Sequence, residues 1–212
     1  MPNKGELFEP TAELFLDLGV DLRDLKASRK LRTTVRNVDV FLMNVFDIPM
    51  AVADRYVGAG LTGGDVFAEE LAKRPTFPAR DIITQKYNFG ECRLVLAASP
   101  ETVPRITRVI APNGRAEWRA DNPLRIATRY PKLAELYMNA FDPSFGWGGE
   151  MPPLRISSLN GAIETAVAMG MADAIIDLVA SGETLRANGL VEVYSFSKYS
   201  AMMLWKGEFQ AR

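Results

Sequence analysis

An acidic residue at the end of an apolar run, followed by a hydroxyl, a glycine and a second hydroxyl, can hold a sugar phosphate. That pattern occurs in Ala174-Ile175-Ile176-Asp177-Leu178-Val179-Ala180-Ser181-Gly182-Glu183-Thr184-Leu185. A buried strand is expected over residues 174–179, with a short turn that opens a helix. Such a turn aims backbone N–H groups without helical acceptors at one spot, where the helix dipole favours an anion. Ser181 and Thr184 add hydroxyl donors, and Gly182 lets the backbone approach a phosphate closely. Asp177 can accept hydrogen bonds from the vicinal hydroxyls of a ribose. An ordinary strand-to-helix turn capped by Thr184 accounts for the same residues.

Other chemistries fall away on composition. The 212 residues include no histidine, which removes Ser-His-Asp and Cys-His catalysis and His-ligated zinc. Any metal must then be a hard ion on oxygens, and any proton must move through a carboxylate, lysine, tyrosine or the substrate. Cys92 is the single cysteine, so no internal disulfide forms and a reducing, cytoplasmic compartment is expected. The 25 basic and 26 acidic residues nearly cancel, which speaks against a nucleic-acid protein held by a general positive field. The sequence has no apolar stretch of about 20 residues and no apolar signal core near its start, so no membrane partner is expected.

The elements that must position these residues read as α/β, with short Val/Ile/Leu runs alternating with helical patterns. Helices are expected over residues 6–18, 48–55, 65–72, 161–169 and 184–187, and one opens at Pro131. Strands are expected over 38–45, 57–61, 92–97, 124–128 and 174–179, with Met202 to Trp205 as a terminal strand. Residues 99–122 read as a strand or turn excursion, and 141–153 as a Gly/Pro-rich loop. Two units follow: residues 1–92 with 190–212 as a discontinuous first, and 93–189 as the second.

The string from Glu164 through Gly170, Ala172, Ile175, Asp177, Leu178, Ser181, Gly182, Thr184 and Leu185 resembles the signature of the ATP phosphoribosyltransferases. Pro2-Asn3-Lys4-Gly5, Asp47-Ile48-Pro49, Gly60-Leu61-Thr62-Gly63, with Asp65, and Arg125-Ile126-Ala127-Thr128, with Tyr130-Pro131, are similar to further segments of that family in the same order.

The resemblance implies a two-lobed fold of the periplasmic-binding-protein type II kind, with the active site in the cleft between lobes. It implies transfer of phosphoribosyl from phosphoribosyl pyrophosphate (PRPP) to N1 of ATP with Mg²⁺. That step opens histidine biosynthesis or serves a nucleoside pathway. By the same resemblance Ala180, Ser181, Gly182, Glu183 and Thr184 cradle the 5-phosphate and Asp177 holds the ribose hydroxyls. Lys4 meets polyphosphate oxygens, Arg29, Thr128 and Tyr130 belong to the ATP side, and Glu164 orients hydroxyls or takes a proton. No side chain is expected to bind the metal directly, since Mg²⁺ would arrive on substrate phosphates. The length suits a short-form catalytic subunit, a homodimer that can join a histidyl-tRNA-synthetase-like regulatory subunit. Two alternatives stand beside it: a diverged PRPP-dependent transferase with another purine acceptor, and a non-catalytic nucleotide-binding protein.

Overall fold

The computed structural model describes residues 1–17, 19–22, 25, 30–35, 37–110, 118–140 and 153–207. Arg29 and residues 141–152 of the expected loop lie outside the described residues. The chain divides into two units, Met1–Glu91 with Tyr199–Arg212, and Cys92–Lys198.

The first unit begins with helix α1 (Phe8–Asp17) and the hairpin of β1 (Arg32–Val35) and β2 (Val38–Phe41). Phe8, Val20, Leu22, Leu25, Val40 and Leu42 pack together there. Helix α2 (Ile48–Ala53), strand β3 (Ala59–Gly63) and helix α3 (Gly64–Lys73) follow, then β4 (Ile82–Lys86). The terminal strand β10 (Ala201–Lys206) lies antiparallel between β3 and β4. Met202 and Leu204 of β10 pack with Ile48, Val52, Phe67 and Ile82 in one core. Pro49 sits in the first turn of α2, where its missing N–H costs nothing.

Two glycines of the Gly60-Leu61-Thr62-Gly63 segment are required by close approach. A Cβ on Gly60 would lie 2.5 Å from Ile48 Cγ2, so α2 rests directly on the β3 backbone. A Cβ on Gly63 would lie 2.2 Å from a carboxylate oxygen of Asp65, which is buried in the first turn of α3.

The second unit is built on a five-stranded sheet of order β7-β6-β8-β5-β9. Its strands are β5 (Cys92–Ala98), β6 (Leu124–Thr128), β7 (Leu154–Ser158), β8 (Ala174–Val179) and β9 (Val191–Tyr199). β6 runs parallel to both β7 and β8, whereas β5 is antiparallel to β8. Leu94 through Ala98 and Ala174 through Ile176 are fully buried, as expected of continuous apolar runs in central strands. Helices α4 (Val103–Ile110), α5 (Pro131–Asn139), α6 (Thr165–Ala168) and α7 (Glu183–Ala187) complete the described elements. The chain returns to the first unit at Tyr199 rather than near 190, because β9 extends the five-stranded sheet before the return.

Two expectations from sequence change. Residues 99–122 contain helix α4, because Pro104 falls in its first turn and the Val103 N–H bonds the Ser99 carbonyl at 3.1 Å. The helix expected over 161–169 shrinks to α6; Gly161 has φ +146°, a conformation that a regular helix does not contain.

Arg125 ties the start of β6 to the residue preceding β8. Its Nη2 donates to Asp173 Oδ1 at 2.9 Å, its Nε to Asp173 Oδ2 at 3.1 Å, and its Nη1 to the Gly170 carbonyl at 2.6 Å. Burial would by itself raise the Asp173 carboxyl. The Arg125 side-chain and backbone bonds, with the charges of Arg125 and Arg105, outweigh it and hold the carboxyl below its ordinary value. A depressed carboxylate contributes stability above its unfolded pKa of 3.8, lost as pH falls through the lower folded value. Arg125→Ala is expected to lower unfolding free energy by about 2 kcal/mol at pH 7. It should also flatten the acid limb of stability below pH ~4, read by urea titrations from pH 7 to 2.5.

Candidate functional site

Because β6, β7 and β8 are parallel, their carboxyl ends at Thr128, Ser158 and Val179 lie at one end of the second unit's sheet. Thr128 is level with Ser158 on one side and Ile176 on the other. Loops leaving the carboxyl ends of parallel strands are where open α/β sheets bind ligands. Here those loops are Arg129-Tyr130 after β6, residues 159–164 after β7, and residues 180–184 after β8.

The last of these is anchored at both ends and open between them. Val179 before it and Leu185 after it belong to the core cluster with Val95, Ile163, Ala166 and Ile175. Ala180, Ser181, Glu183 and Thr184 are exposed and Gly182 is half-buried. Gly182 is the residue preceding α7 and adopts the left-handed conformation (φ +77°, ψ 6°), which glycine enters without a Cβ penalty. Ser181 Oγ accepts from the Glu183 N–H at 3.3 Å.

Thr184 therefore lies inside the first turn and does not cap the helix. Its hydroxyl makes no hydrogen bond among the described residues, so the alternative of an ordinary Thr-capped turn does not describe this loop. Asp177 is half-buried on β8, sharing a face with Ile175 and Val179, and its Oδ1 accepts from the Leu178 N–H at 2.9 Å.

The remaining candidates are dispersed. Glu164 is half-buried at the start of α6, following the fully buried Ile163. Thr128 and Tyr130 are buried, at 0% and 3% exposure, and Thr128 Oγ1 accepts from the Tyr130 N–H at 2.9 Å. These two side chains shape the turn into α5 and present little surface to a ligand. Lys4 belongs to the first unit and is exposed beside Gly5, whose φ is +84°. The first unit also holds a cavity of about 1320 Å³ walled by apolar side chains, among them Phe15, Leu61, Met203 and Trp205; Lys4 is not in its wall.

Sequence reasoning passed over two arginines at the carboxyl end of the sheet. Arg129 follows β6 and donates from Nη2 to the Gly161 carbonyl at 3.0 Å. Arg186 reaches back from α7 and donates from Nη1 to the Ser181 carbonyl at 3.3 Å. Their positions beside Thr128 and Leu185 were the only signal, and spacing alone does not tell which way an arginine points.

Two α/β units joined by two crossings, with a mixed five-stranded sheet in the second, fit a two-lobed fold like that of the periplasmic-binding-protein type II class. The ATP phosphoribosyltransferase family (HisG) matches residues 45–211. An ATP phosphoribosyltransferase of Gemmatimonas aurantiaca is 31% identical over 205 residues, covering 96% of this chain and 62% of that protein. One of Thermococcus kodakarensis is 32% identical over 203 residues, covering 95% and 83%. The solved ATP phosphoribosyl transferase (HisG:HisZ) complex of Thermotoga maritima superposes with a TM-score of 0.67 at 23% identity, over 97% of this chain and 85% of that one. The chain belongs to the ATP phosphoribosyltransferase family. It spans less than two thirds of the Gemmatimonas relative's length. No helix among the described residues is long and apolar enough to cross a membrane.

Proposed function

We propose that this chain transfers the phosphoribosyl group of PRPP to N1 of the adenine of ATP. The observation that carries the reading is the exposed loop of residues 180–184, with left-handed Gly182 and the unused Thr184 hydroxyl, at the carboxyl end of parallel strands. The donor's 5-phosphate is assigned to the N–H groups and hydroxyls of Ala180, Ser181, Gly182, Glu183 and Thr184. Its ribose diol is assigned to the Asp177 carboxylate.

In the reaction the N1 lone pair forms a bond to ribose C1, and the C1–O bond breaks with its electron pair leaving on diphosphate. Positive charge gathers on the ribose ring meanwhile, so the protein accelerates the step by alignment and by preorganised charge. Lys4 is assigned to the polyphosphate oxygens, with Arg29 on the ATP side. Glu164 is assigned to orienting hydroxyls or accepting the proton that the substituted adenine gives up. Thr128 and Tyr130 act on the ATP side through the turn that they hold.

Mg²⁺ fits this set as an ion carried on substrate phosphate oxygens, with Asp177 left to the ribose diol. When bound it would neutralise charge on the departing diphosphate. The reading extends to a cytoplasmic enzyme at the first step of histidine biosynthesis. It also extends to a homodimer that joins a subunit of the HisZ kind, following the composition of the Thermotoga maritima complex.

Purified protein incubated with ATP, PRPP and Mg²⁺ is expected to yield N1-phosphoribosyl-ATP and diphosphate, identified by mass spectrometry. Turnover only with a different purine acceptor would replace ATP in the reading. Saturable nucleotide binding with no release of diphosphate would overturn catalysis altogether.

A further inference from the structure

Arg186 lies against the loop from outside its five assigned residues. Its Nη1 donates to the Ser181 carbonyl at 3.3 Å, and a Cβ built on Gly182 would sit 3.1 Å from the same nitrogen. The guanidinium thus lies close beside the place a Cβ at position 182 would take. It forms no ion pair among the described residues, and the side chain is exposed. Glu183 places an exposed carboxylate in the same loop. A loop offering only amide hydrogens and hydroxyls would set that anion beside a phosphate dianion with no formal positive charge to offset it.

We propose that Arg186 is a donor-binding residue: one N–H of its guanidinium fixes the Ser181 carbonyl, and the others bind the 5-phosphate of the sugar phosphate. This rests on the assignment of residues 180–184 to that phosphate, and adds to it the charge that selects a dianion. Arginine suits the task because its planar fork presents several donors at once and stays charged at every physiological pH. Gly182 is glycine because of its positive φ, and its lack of a side chain lets the guanidinium lie close to the backbone.

The test is calorimetric titration of the full chain with PRPP, ribose 5-phosphate and ATP, each separately, at two salt concentrations. Arg186→Ala is expected to weaken PRPP and ribose 5-phosphate by about tenfold or more while leaving ATP unchanged. Arg186→Lys should recover only part of that loss, since it keeps the charge but not the fork. The parent's affinity for ribose 5-phosphate should fall more steeply with salt than that of Arg186→Ala, a difference that a purely structural role would not produce.

Unchanged sugar-phosphate affinity in Arg186→Ala overturns the proposal. So does an equal loss for sugar phosphate and ATP that lysine fails to restore even in part. Thr184→Ala in the same series separates the two levels: if it too leaves PRPP binding intact, the loop assignment itself has failed. If Thr184→Ala weakens PRPP while Arg186→Ala does not, only the role of Arg186 falls.

Discussion

Asp177→Ala is expected to weaken PRPP binding by about 10- to 100-fold, and Thr184→Ala by about tenfold, with the fold of both variants intact. The difference in size follows from charge. A carboxylate holding a diol makes two charge-assisted hydrogen bonds, whereas a threonine hydroxyl gives a phosphate one. Thr184 is exposed and its hydroxyl is unbonded among the described residues, so its removal leaves the packing untouched. Asp177 is half-buried, and its Oδ1 accepts from the adjacent Leu178 N–H at 2.9 Å. Titration with PRPP, paired with thermal melts followed by circular dichroism, measures both quantities. Parent-like affinity in both variants would remove the sugar-phosphate site from this loop. A collapse of the melt would show Asp177 to be structural instead.

The largest stability effect is expected at Gly60. Its side-chain space is already filled by Ile48 Cγ2 at 2.5 Å and Val52 Cγ2 at 3.2 Å. Gly60→Val must push α2 off β3, which opens the core formed by Ile48, Val52, Phe67 and Leu204. The expected loss is about 3 kcal/mol, at the upper end for overpacking. Gly170→Asn is the contrasting case. Gly170 has φ +68° with nothing within 4 Å of a built Cβ, so only backbone strain opposes the change. Asparagine tolerates that conformation, and the loss should stay within about 1 kcal/mol. Urea unfolding of the two variants beside the parent decides the matter. Equal losses would mean that packing of α2 on β3 is not what position 60 protects.

The strands and the loop were legible to different depths for identifiable reasons. β5 and β8 read cleanly because central strands buried on both faces leave continuous apolar stretches, Leu94 to Ala98 and Ala174 to Ile176. The hairpin of β1 and β2 read only in part. Its exposed alternation of Arg32, Thr33, Thr34 and Val35 carries little hydrophobic signal. β7 and β4 share that weakness, since most of their residues are exposed or half-buried. Helix α4 was hidden by Pro104, which looks like a breaker until its place in the first turn is known. Among the site residues, Thr128 and Tyr130 sit in a motif that the sequence displays openly. Whether such residues face a ligand or the core is a matter of burial, which no motif records.

From sequence alone came the chemistry that is absent, the α/β class, and the run of residues in which an anion can be held. Those are local properties: residue types, periodicity and spacing act within about ten positions along the chain. Tertiary structure decided the rest. Parallel pairing of β6, β7 and β8 brings Thr128, Ser158 and Val179 to one end of a sheet. The fold of one short helix turns Arg186 back onto Ser181. Bidentate bonding joins Arg125 to Asp173 across 48 positions. Such meetings depend on which strands exchange hydrogen bonds and which faces bury one another, and that follows from the free energy of the whole chain rather than from any single stretch of it.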